Sequence, residues 1–428
     1  MLHKKLYELA EKLFPIHRSL AGSQNRKTLR LLKKVCPKLK IKGYESGKKV
    51  FDWIIPHEWS VNSAWIKDKY GKKIVDIKNN NLHLVSYSKS INKRISYNNL
   101  QKHLHSSKKQ SNAIPYVTSY YKKDWGFCLS YKDRKKLKKN DKYKVYIDSN
   151  FKKGKLNFGE IIIKGKSKKE VFLSTYICHP SLANNEISGP TVAIYLAKWL
   201  SSQKKLNYTY RIIFISETIG SIAYLSNNLK QLKKNVFAGY NISCIGDNRN
   251  YSFLPSRDEN TISDRIAKKI LGKKVKKYKK YSWMERGSDE RQYCSPGVDL
   301  PISSIMRTKY GEYPEYHTSL DSLGNVVNAK GLMGGYNIFK EIILEIERSI
   351  YPLSKIYCEP FLTKHKLYST ISKKENKNVE ASNLLNILSY CDGKNSLEEI
   401  EKKTNLKLKK IIKIIKKLKK LRLVKWDH

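Results

Sequence analysis

The chain has 428 residues, more than one ordinary hydrophobic core holds, so we expect two or three domains. Its 40% hydrophobic and 11% aromatic residues exclude an intrinsically disordered chain. Lysine and arginine number 86 against 37 aspartate and glutamate, a net charge of +49, but the excess is scattered lysine, which favours a general surface bias over a dedicated polyanion site.

The first hundred residues change pattern once. Apolar residues at helical spacing predict helices over Leu2–Leu13 and Asn25–Val35, joined by a loop at residues 16–23. Short alternating runs then predict the strands Val50–Ile54, Ala64–Ile66 and Lys73–Asp76. We interpret residues 39–111 as a small β-rich domain inserted into a larger one.

From about residue 112, strands alternate with helices. The strands are predicted at Tyr143–Ile147, Phe158–Ile163, Val171–Tyr176, Tyr210–Ile215, Val236–Cys244 and Ile302–Met306. The helices are predicted at Gly189–Ser201, Gly220–Asn228, Ser263–Leu271 and Leu332–Ile350. This alternation is typical of an α/β fold with a mixed, mainly parallel sheet and helices on both faces. We expect this main domain to comprise residues 1–38 and 112–352.

A polar linker, placed at residues 353–379, precedes a compact C-terminal pattern. Its predicted elements are the helix Leu384–Tyr390, a helix capped by Ser396 with Glu399, the helix Leu408–Leu418 and the strand Leu421–Trp426. Three helices and a strand are the winged-helix order, which we place at residues 380–428. The third helix is rich in lysine, which suits DNA phosphates, but it lacks arginine or asparagine at base-reading positions. Contact with another protein is therefore favoured over specific nucleic-acid binding.

The compartment is predicted from three features. Residues 1–10 are polar and charged, without the apolar segment of a signal peptide. No stretch approaches the ~20 apolar residues of a membrane-spanning helix. The seven cysteines are odd in number, far apart and without a C-x-x-C pair, as expected of free thiols in a reducing compartment. We expect a cytoplasmic protein with no membrane span.

Four polar residues stand where an α/β active site would gather. His179, Glu217 and Asp247 each follow a predicted strand of the main sheet, and His317 lies in a later loop. The carboxyl ends of such strands are where ligands bind in α/β sheets. Each residue alone is explained equally well as a hydrogen-bonded loop histidine or a helix cap. Their order, His, Glu, Asp and His, is what indicates a site.

That order resembles the zinc aminopeptidase and glutamate carboxypeptidase superfamily over residues 170–325. The resemblance implies that His179, Asp247 and His317 ligate zinc, and that Glu217 is the general base. The segment 287–290, Gly-Ser-Asp-Glu, resembles the superfamily's Ser-Asp-His segment. The whole chain is similar to a bacterial branch with an inserted β domain and a winged helix, often associated with surface-polysaccharide biosynthesis. The phrases that carry this are FPIHRSLAGS, IPYVTSYY, WGFCLS, STYICHPSLANNEISGP, SETIGSIAYLS, RGSDERQYCSPGVDLP and KYGEYPEYHTSLDSL.

Two positions depart from the superfamily pattern. Asn185 falls on the aspartate that bridges two zinc ions, and Thr218 falls on a second glutamate ligand. Neutral side chains are poor partners for adjacent dications, so we expect one zinc ion rather than two. Asn185 and the neighbouring Glu186 remain possible additional ligands.

The resemblance implies a zinc-dependent hydrolase that cleaves an amide or peptide bond with metal-activated water and Glu217 as base. The substrate would be a small peptide or amide, sugar-linked amides included, and the oligomeric state stays open. Candidate substrate-binding residues, with structural ion pairs as the alternative, are Arg286, Arg291, Arg307, His17 and Arg18. Two other functions stay open: a catalytically weak metal-binding protein of polysaccharide biosynthesis, and a DNA-binding regulator that uses the hydrolase fold as a ligand sensor.

Overall fold

The structure, a computed structural model, describes residues 1–367 and 379–426. These residues form two compact units. The first comprises residues 1–163, 169–204 and 210–342, and the second comprises 164–168, 205–209 and the residues from 343 onward. In the described part of the chain, no helix has the length and apolar character that crossing a membrane requires.

The helices are α1 Leu2–Leu13, α2 Ser23–Val35, α3 Tyr97–Gln101, α4 Tyr131–Arg134, α5 Ser188–Ser201, α6 Ile219–Asn235, α7 Ile262–Lys274, α8 Glu290–Tyr293, α9 Ala329–Arg348, α10 Val379–Ser389, α11 Leu397–Thr404 and α12 Leu408–Lys420. The predicted helices are all present, with ends shifted by several residues. The largest difference is α6, which continues to Asn235 through a lysine-rich stretch in which Leu229 and Leu232 face the core.

The strands are β1 Lys40–Glu45, β2 Lys49–Val50, β3 Trp53–Ile54, β4 Glu58–Lys67, β5 Lys73–Asp76, β6 Ile91–Ser96, β7 Leu104–His105, β8 Phe127–Cys128, β9 Lys142–Lys152, β10 Lys155–Ile163, β11 Glu170–Tyr176, β12 Thr209–Ile215, β13 Val236–Asn241, β14 Ser252–Leu254, β15 Lys279–Lys280, β16 Ile302–Met306, β17 Leu353–Ser354 and β18 Val424–Lys425. The predicted strand over 50–54 is instead the hairpin β2–β3, because Phe51 turns with a positive φ.

The main sheet has eight strands in the order β1-β10-β12-β11-β13-β16-β14-β15. Its centre is parallel, since β11 pairs with β13 and β13 with β16 in parallel, while β1, β10 and β12 pair antiparallel. The amide of Ile177 donates to the carbonyl of Ile215, at 2.8 Å, directly after β11 and β12 end. The carboxyl ends of these two neighbouring strands therefore meet at one edge of the sheet.

A smaller four-stranded sheet has the order β5-β4-β9-β6, antiparallel throughout. The strand predicted over Tyr143–Ile147 as part of the main sheet lies within β9 and belongs here instead. Alternation alone identifies a strand but not its partner, and β9 finds its partners in the earlier β4 and β6. Buried tryptophan and aliphatic residues of this sheet form one core with the pocket-side residues Leu20 and Cys178.

The second unit contains the winged-helix elements. Helices α10, α11 and α12 pack around a buried aliphatic core, and Ser396 caps α11 in the predicted capping box with Glu399. The terminal strand is shorter than predicted and pairs antiparallel with β17, at Leu353–Ser354, which the sequence places in the linker. Residues 368–378 of that predicted linker, and residues 427–428, lie outside the described residues.

Candidate active site

The site lies where β11 and β12 end. His179 follows β11 and Glu217 follows β12, because two buried apolar strands each end in a polar loop at the same sheet edge. His179 Nε2 lies 3.6 Å from Glu217 Oε2. An open cavity of about 130 Å³ adjoins this pair, lined by Leu20, Tyr120, Tyr121, Cys178, His179, Glu217 and Thr218. The structure thus brings together two of the predicted site residues at a cavity.

The Nδ1 atom of His179 is held by a buried ion pair. Glu186 Oε2 lies 2.7 Å from His179 Nδ1, and Glu186 Oε1 lies 3.5 Å from Arg18 Nε. Arg18 also donates to the carbonyls of His179, at 3.0 Å, and Leu13, at 2.7 Å. Arg18 and Glu186 are fully buried here, so neither meets substrate in this arrangement. They orient the imidazole and leave Nε2 facing the cavity.

The pKa of His179 reflects opposing effects. Burial lowers it, but Cys178, Tyr116 and the hydrogen bond to Glu186 together hold it above the ordinary value. Glu217 shows the complementary effect: burial raises its pKa, and the neighbouring His179 opposes that rise. The pKa values of the two side chains therefore depend on each other.

Glu217 is fixed by two contacts. Ser288 Oγ donates to its Oε1 at 2.6 Å, and the Glu217 amide donates to the Cys178 sulfur at 3.2 Å. Oε2 is left facing His179 and the cavity. Neither Ser288 nor Cys178 was assigned a role from the sequence. Two sequence features could have pointed to them: Ser288 lies in the Gly-Ser-Asp-Glu segment, and Cys178 is next to His179.

Thr218 has a φ of 64°, which few residues other than glycine adopt. The buried Asp289 holds it there, accepting from the Thr218 amide at 2.7 Å and from Ser221 Oγ at 2.8 Å. Burial and the nearby charge of Glu217 raise the pKa of Asp289 to about 8. Arg291 donates to Thr218 Oγ1 at 2.8 Å, which places its guanidinium beside Glu217.

His317 approaches His179 from another loop. The centres of the two imidazole rings are 5.7 Å apart, and Tyr116 packs edge-on against both rings. The carbonyl of His317 accepts a hydrogen bond from the Tyr116 amide at 2.8 Å. Burial lowers the pKa of His317 to about 3, with the charge of His179 adding to the effect. The ring therefore stays neutral at neutral pH and is available as a nitrogen ligand.

Asp247 occupies a different environment from its predicted one. It is fully buried after β13, where its Oδ1 accepts from the Arg249 amide and Thr308 Oγ1, and its Oδ2 from Asn184 Nδ2 and the Thr308 amide, at 2.8–3.0 Å. A carboxylate accepts about four hydrogen bonds, so this one is saturated. The geometry gives Asp247 a loop-organising role and does not support it as a zinc ligand.

Asn185 lies in the π-helical turn Ala183–Ile187 that precedes α5. Its Nδ2 donates to the Tyr176 hydroxyl at 2.9 Å, and its backbone amide donates to Asp321 at 3.1 Å. Among the described residues, its buried Oδ1 has no hydrogen-bond partner. The position therefore offers one neutral oxygen and lacks the anionic charge that a second dication requires.

The remaining predicted substrate-binding residues lie apart from the cavity. Arg286 is exposed and stacks over Trp283, with 4.9 Å between the guanidinium carbon and the ring centre. Arg307 is buried and stacks over Tyr251 at 3.9 Å. His17 packs edge-on against Trp59 in a separate small pocket, where burial lowers its pKa to about 4. None of the three lines the cavity beside Glu217.

Over residues 1–367 and 379–426, one set of three potential metal ligands has all its donor atoms within 4.8 Å of one another: Cys178, His179 and Glu186. This set uses the Nδ1 side of His179, where the Arg18 guanidinium already neutralises Glu186. A guanidinium next to a cation is unfavourable. We therefore assign this cluster to the orientation of His179. His317 does not complete a comparable set in the described conformation.

The fold is that of the zinc aminopeptidases. A zinc aminopeptidase from Bacillus subtilis superposes with a TM-score of 0.59 over 80% of this chain and 95% of its own, at 13% identity. An aminopeptidase from Aneurinibacillus superposes at 0.53 over 84% of this chain and 96% of its own, at 12% identity. A crystal structure of a protein named as a peptidase, from Clostridium acetobutylicum, superposes at 0.81 over 99% of this chain and 96% of its own, at 37% identity.

The family is also defined. Residues 7–349 match a family model described as a domain of unknown function, DUF4910, and residues 350–426 match a winged helix-turn-helix model. The chain belongs to the DUF4910 family and carries a C-terminal winged helix. A Clostridium acetobutylicum protein is 38% identical over 408 residues, which cover 95% of this chain and 93% of that protein. Its name is that of a polysaccharide biosynthesis protein with an aminopeptidase-like domain, which agrees with the bacterial branch that the sequence resembles.

Proposed function

We propose that the protein hydrolyses an amide or peptide bond, with Glu217 as the general base. The observation that carries the proposal is the pairing of Glu217 with His179 at the open cavity, 3.6 Å apart. One oxygen of Glu217 is fixed by Ser288, and the other has no competing hydrogen bond among the described residues. A fixed carboxylate with one open oxygen suits proton transfer to and from a substrate.

The residues also fit one zinc ion better than two. His179 presents Nε2, a nitrogen donor that zinc prefers, to the cavity beside Glu217. The neutral ring of His317, with its centre 5.7 Å from that of His179, would supply a second nitrogen donor. Glu186 behind His179 is the outer carboxylate that zinc-binding histidines commonly have. Asn185 and Thr218 supply no charge for a second ion.

When bound, zinc would polarise the scissile carbonyl and lower the pKa of a water molecule. The protein's own contribution begins with Glu217, which takes the proton of the attacking water and returns it to the leaving amine. Ser288 keeps that carboxylate in place during both transfers. Arg291, at the rim beside Thr218, is positioned to meet an anionic group of the substrate.

The test is metal analysis of the purified full chain combined with a substrate panel of aminoacyl anilides and N-acylated amino sugars, the latter suggested by the relative's name. We expect about one zinc per chain and turnover that a chelator abolishes and zinc restores. Two tightly bound ions would contradict the single-ion proposal. Bound zinc without turnover on any amide would favour the catalytically weak metal-binding alternative.

For the winged helix we propose contact with another protein. Helix α12 buries Ile411, Ile414, Ile415 and Leu418 and turns its lysines outward. Lysines alone give salt-sensitive phosphate contacts without base readout. The full chain should therefore show no preferred DNA sequence at physiological salt. A sequence-preferring footprint at nanomolar protein would instead favour the regulator function.

A further inference from the structure

The cavity beside Glu217 is walled by tyrosines whose role the proposed function leaves open. Tyr120 lines the cavity together with His179 and Glu217. Its hydroxyl lies 2.5 Å from the hydroxyl of Tyr116, the residue that packs against both histidine rings. Both tyrosines belong to the phrase IPYVTSYY, a marker of the bacterial branch.

The two tyrosine hydroxyls have one O–H donor more than the hydrogen bond between them uses. Each phenol carries one O–H, and one of the two protons is used in the bond between them. Among the described residues, neither hydroxyl has another hydrogen-bond partner, so the second proton has no acceptor in the protein. A phenol has an ordinary pKa of about 10, so both hydroxyls keep their protons at neutral pH.

The pair is also held rigidly. The Tyr116 amide is bonded to the carbonyl of His317, and the Ser119 amide is bonded to the carbonyl of Ser86 in the neighbouring β-rich region. The ring of Tyr120 packs edge-on against Tyr87, with centres 5.3 Å apart. Donors that are fixed before the reaction stabilise developing charge without a reorganisation cost.

A donor is needed at this place. With neutral residues at Asn185 and Thr218, the proposed single zinc ion would have no second ion to share the charge on the carbonyl oxygen of a bound amide. We propose that Tyr120 donates a hydrogen bond to that oxygen as it becomes negative, with Tyr116 as the positioning residue that aligns the donor. This rests on the proposed amide hydrolysis.

The electron and proton balance is simple. Water forms a bond to the carbonyl carbon while Glu217 accepts its proton, and the C=O π electrons move to the oxygen that Tyr120 contacts. When the tetrahedral species collapses, the carbonyl re-forms, the C–N bond breaks and Glu217 gives its proton to the amine. Tyr120 keeps its own proton throughout.

The test compares three single variants of the full chain, Tyr120→Phe, Tyr116→Phe and the control Tyr70→Phe. Tyr70 is an exposed tyrosine between β4 and β5 that does not line the cavity. Removing one oxyanion donor typically lowers kcat by about 10²–10³-fold. We expect that loss in Tyr120→Phe with KM little changed, a smaller loss in Tyr116→Phe, and unchanged kcat in Tyr70→Phe.

A second measurement does not need turnover. Butylboronic acid becomes tetrahedral on binding and presents oxygens where the oxyanion would lie, and calorimetry should show weaker binding to Tyr120→Phe than to the wild type or Tyr70→Phe. If the wild type hydrolyses amides but Tyr120→Phe is unaffected in kcat and boronate affinity, the donor role is wrong while the hydrolase stands. If no amide turns over but boronate binding depends on Tyr120, the hydrolase is wrong and the donor stands. Loss of both signals in the wild type overturns both.

Discussion

Two neighbouring parts of the same sheet edge present the same sequence feature with opposite results: the part after β11 and β12, called the open edge, and the part after β13, called the closed edge. At each, an apolar strand is followed by a polar loop with a carboxylate, Glu217 in the first and Asp247 in the second. One carboxylate oxygen of Glu217 accepts a hydrogen bond from Ser288, and the other faces a cavity. Asp247 is fully buried and accepts four hydrogen bonds.

The difference shows that the number of hydrogen bonds a carboxylate accepts is more informative than its position in the sequence. It distinguishes a carboxylate that is available to a ligand from a structural one. A saturated carboxylate holds neighbouring loops in place, because leaving its donors unpaired in the interior is costly. An unsaturated one at a cavity is free to bind a ligand or move a proton. The experiments below change one edge at a time, in order of decreasing expected effect.

The largest effect is expected at the open edge. Glu217→Gln keeps the side-chain size and the Ser288 contact but removes the base, so kcat should fall by about 10²–10⁴-fold. Zinc content and the urea unfolding midpoint should change little. Loss of zinc would reassign Glu217 as a ligand, and unchanged turnover in an active preparation would exclude it as the base.

The next effect concerns the buried pair behind the open edge. Arg18→Met leaves the fully buried Glu186 without its counter-charge, and breaking such a pair typically costs about 3–5 kcal/mol of unfolding free energy. Arg211→Met, in the similarly buried cluster with Glu170 and Glu160, is the control. Both variants should lose stability in urea denaturation.

Only Arg18→Met should also weaken zinc binding, since only Arg18 lies behind His179. The double variant Arg18→Met with Glu186→Gln should regain part of the lost stability, because the uncompensated charge is gone. Equal zinc affinity in wild type, Arg18→Met and Arg211→Met would contradict the orienting role of the pair.

The sequence predicts the main elements of the open edge because both signals are local. The buried runs of β11 and β12 are continuous and apolar, and His179 and Glu217 follow them directly. The order of the site residues also identifies the superfamily fold. Pairing partners far away in sequence are not encoded in such runs, which is why β9 was predicted in the wrong sheet.

The same limit explains the predicted roles that the geometry does not support. Arg18 is predicted from the sequence as a substrate-binding residue because its ion-pair partner, Glu186, is remote in the sequence and is not recognised. Asp247 is predicted as a zinc ligand because the sequence does not show that its carboxylate is already occupied. Two of its hydrogen bonds come from Thr308, 61 residues away. Long-range hydrogen bonds determine whether a polar residue is available, and a single sequence does not show them.

At the closed edge, Asp247→Asn should act on stability alone. Asparagine has one acceptor oxygen, so two of the four donors lose their partner, at a cost of about 1–3 kcal/mol for each one that stays buried and unpaired. The control is Asp264→Asn, another fully buried aspartate that caps α7 away from the cavity. Zinc content and kcat should match the wild type. Loss of zinc with unchanged stability would restore Asp247 as a ligand and break the contrast between the two edges.

The last effect is a pH dependence at the open edge, from Asp289. Its pKa is raised to about 8 by burial and the charge of Glu217, so between about pH 4 and 8 the folded chain keeps a proton that the unfolded chain has released. Stability from this group therefore falls as the pH rises through that window. Asp289→Asn removes the titrating group and keeps an acceptor for the Thr218 amide.

Urea denaturation at several pH values from 5 to 8 should show a shallower loss of stability in Asp289→Asn than in the wild type or Asp264→Asn. Parallel curves for all three proteins would mean that Asp289 is ionised throughout, and that the open edge carries one more negative charge than the structure implies.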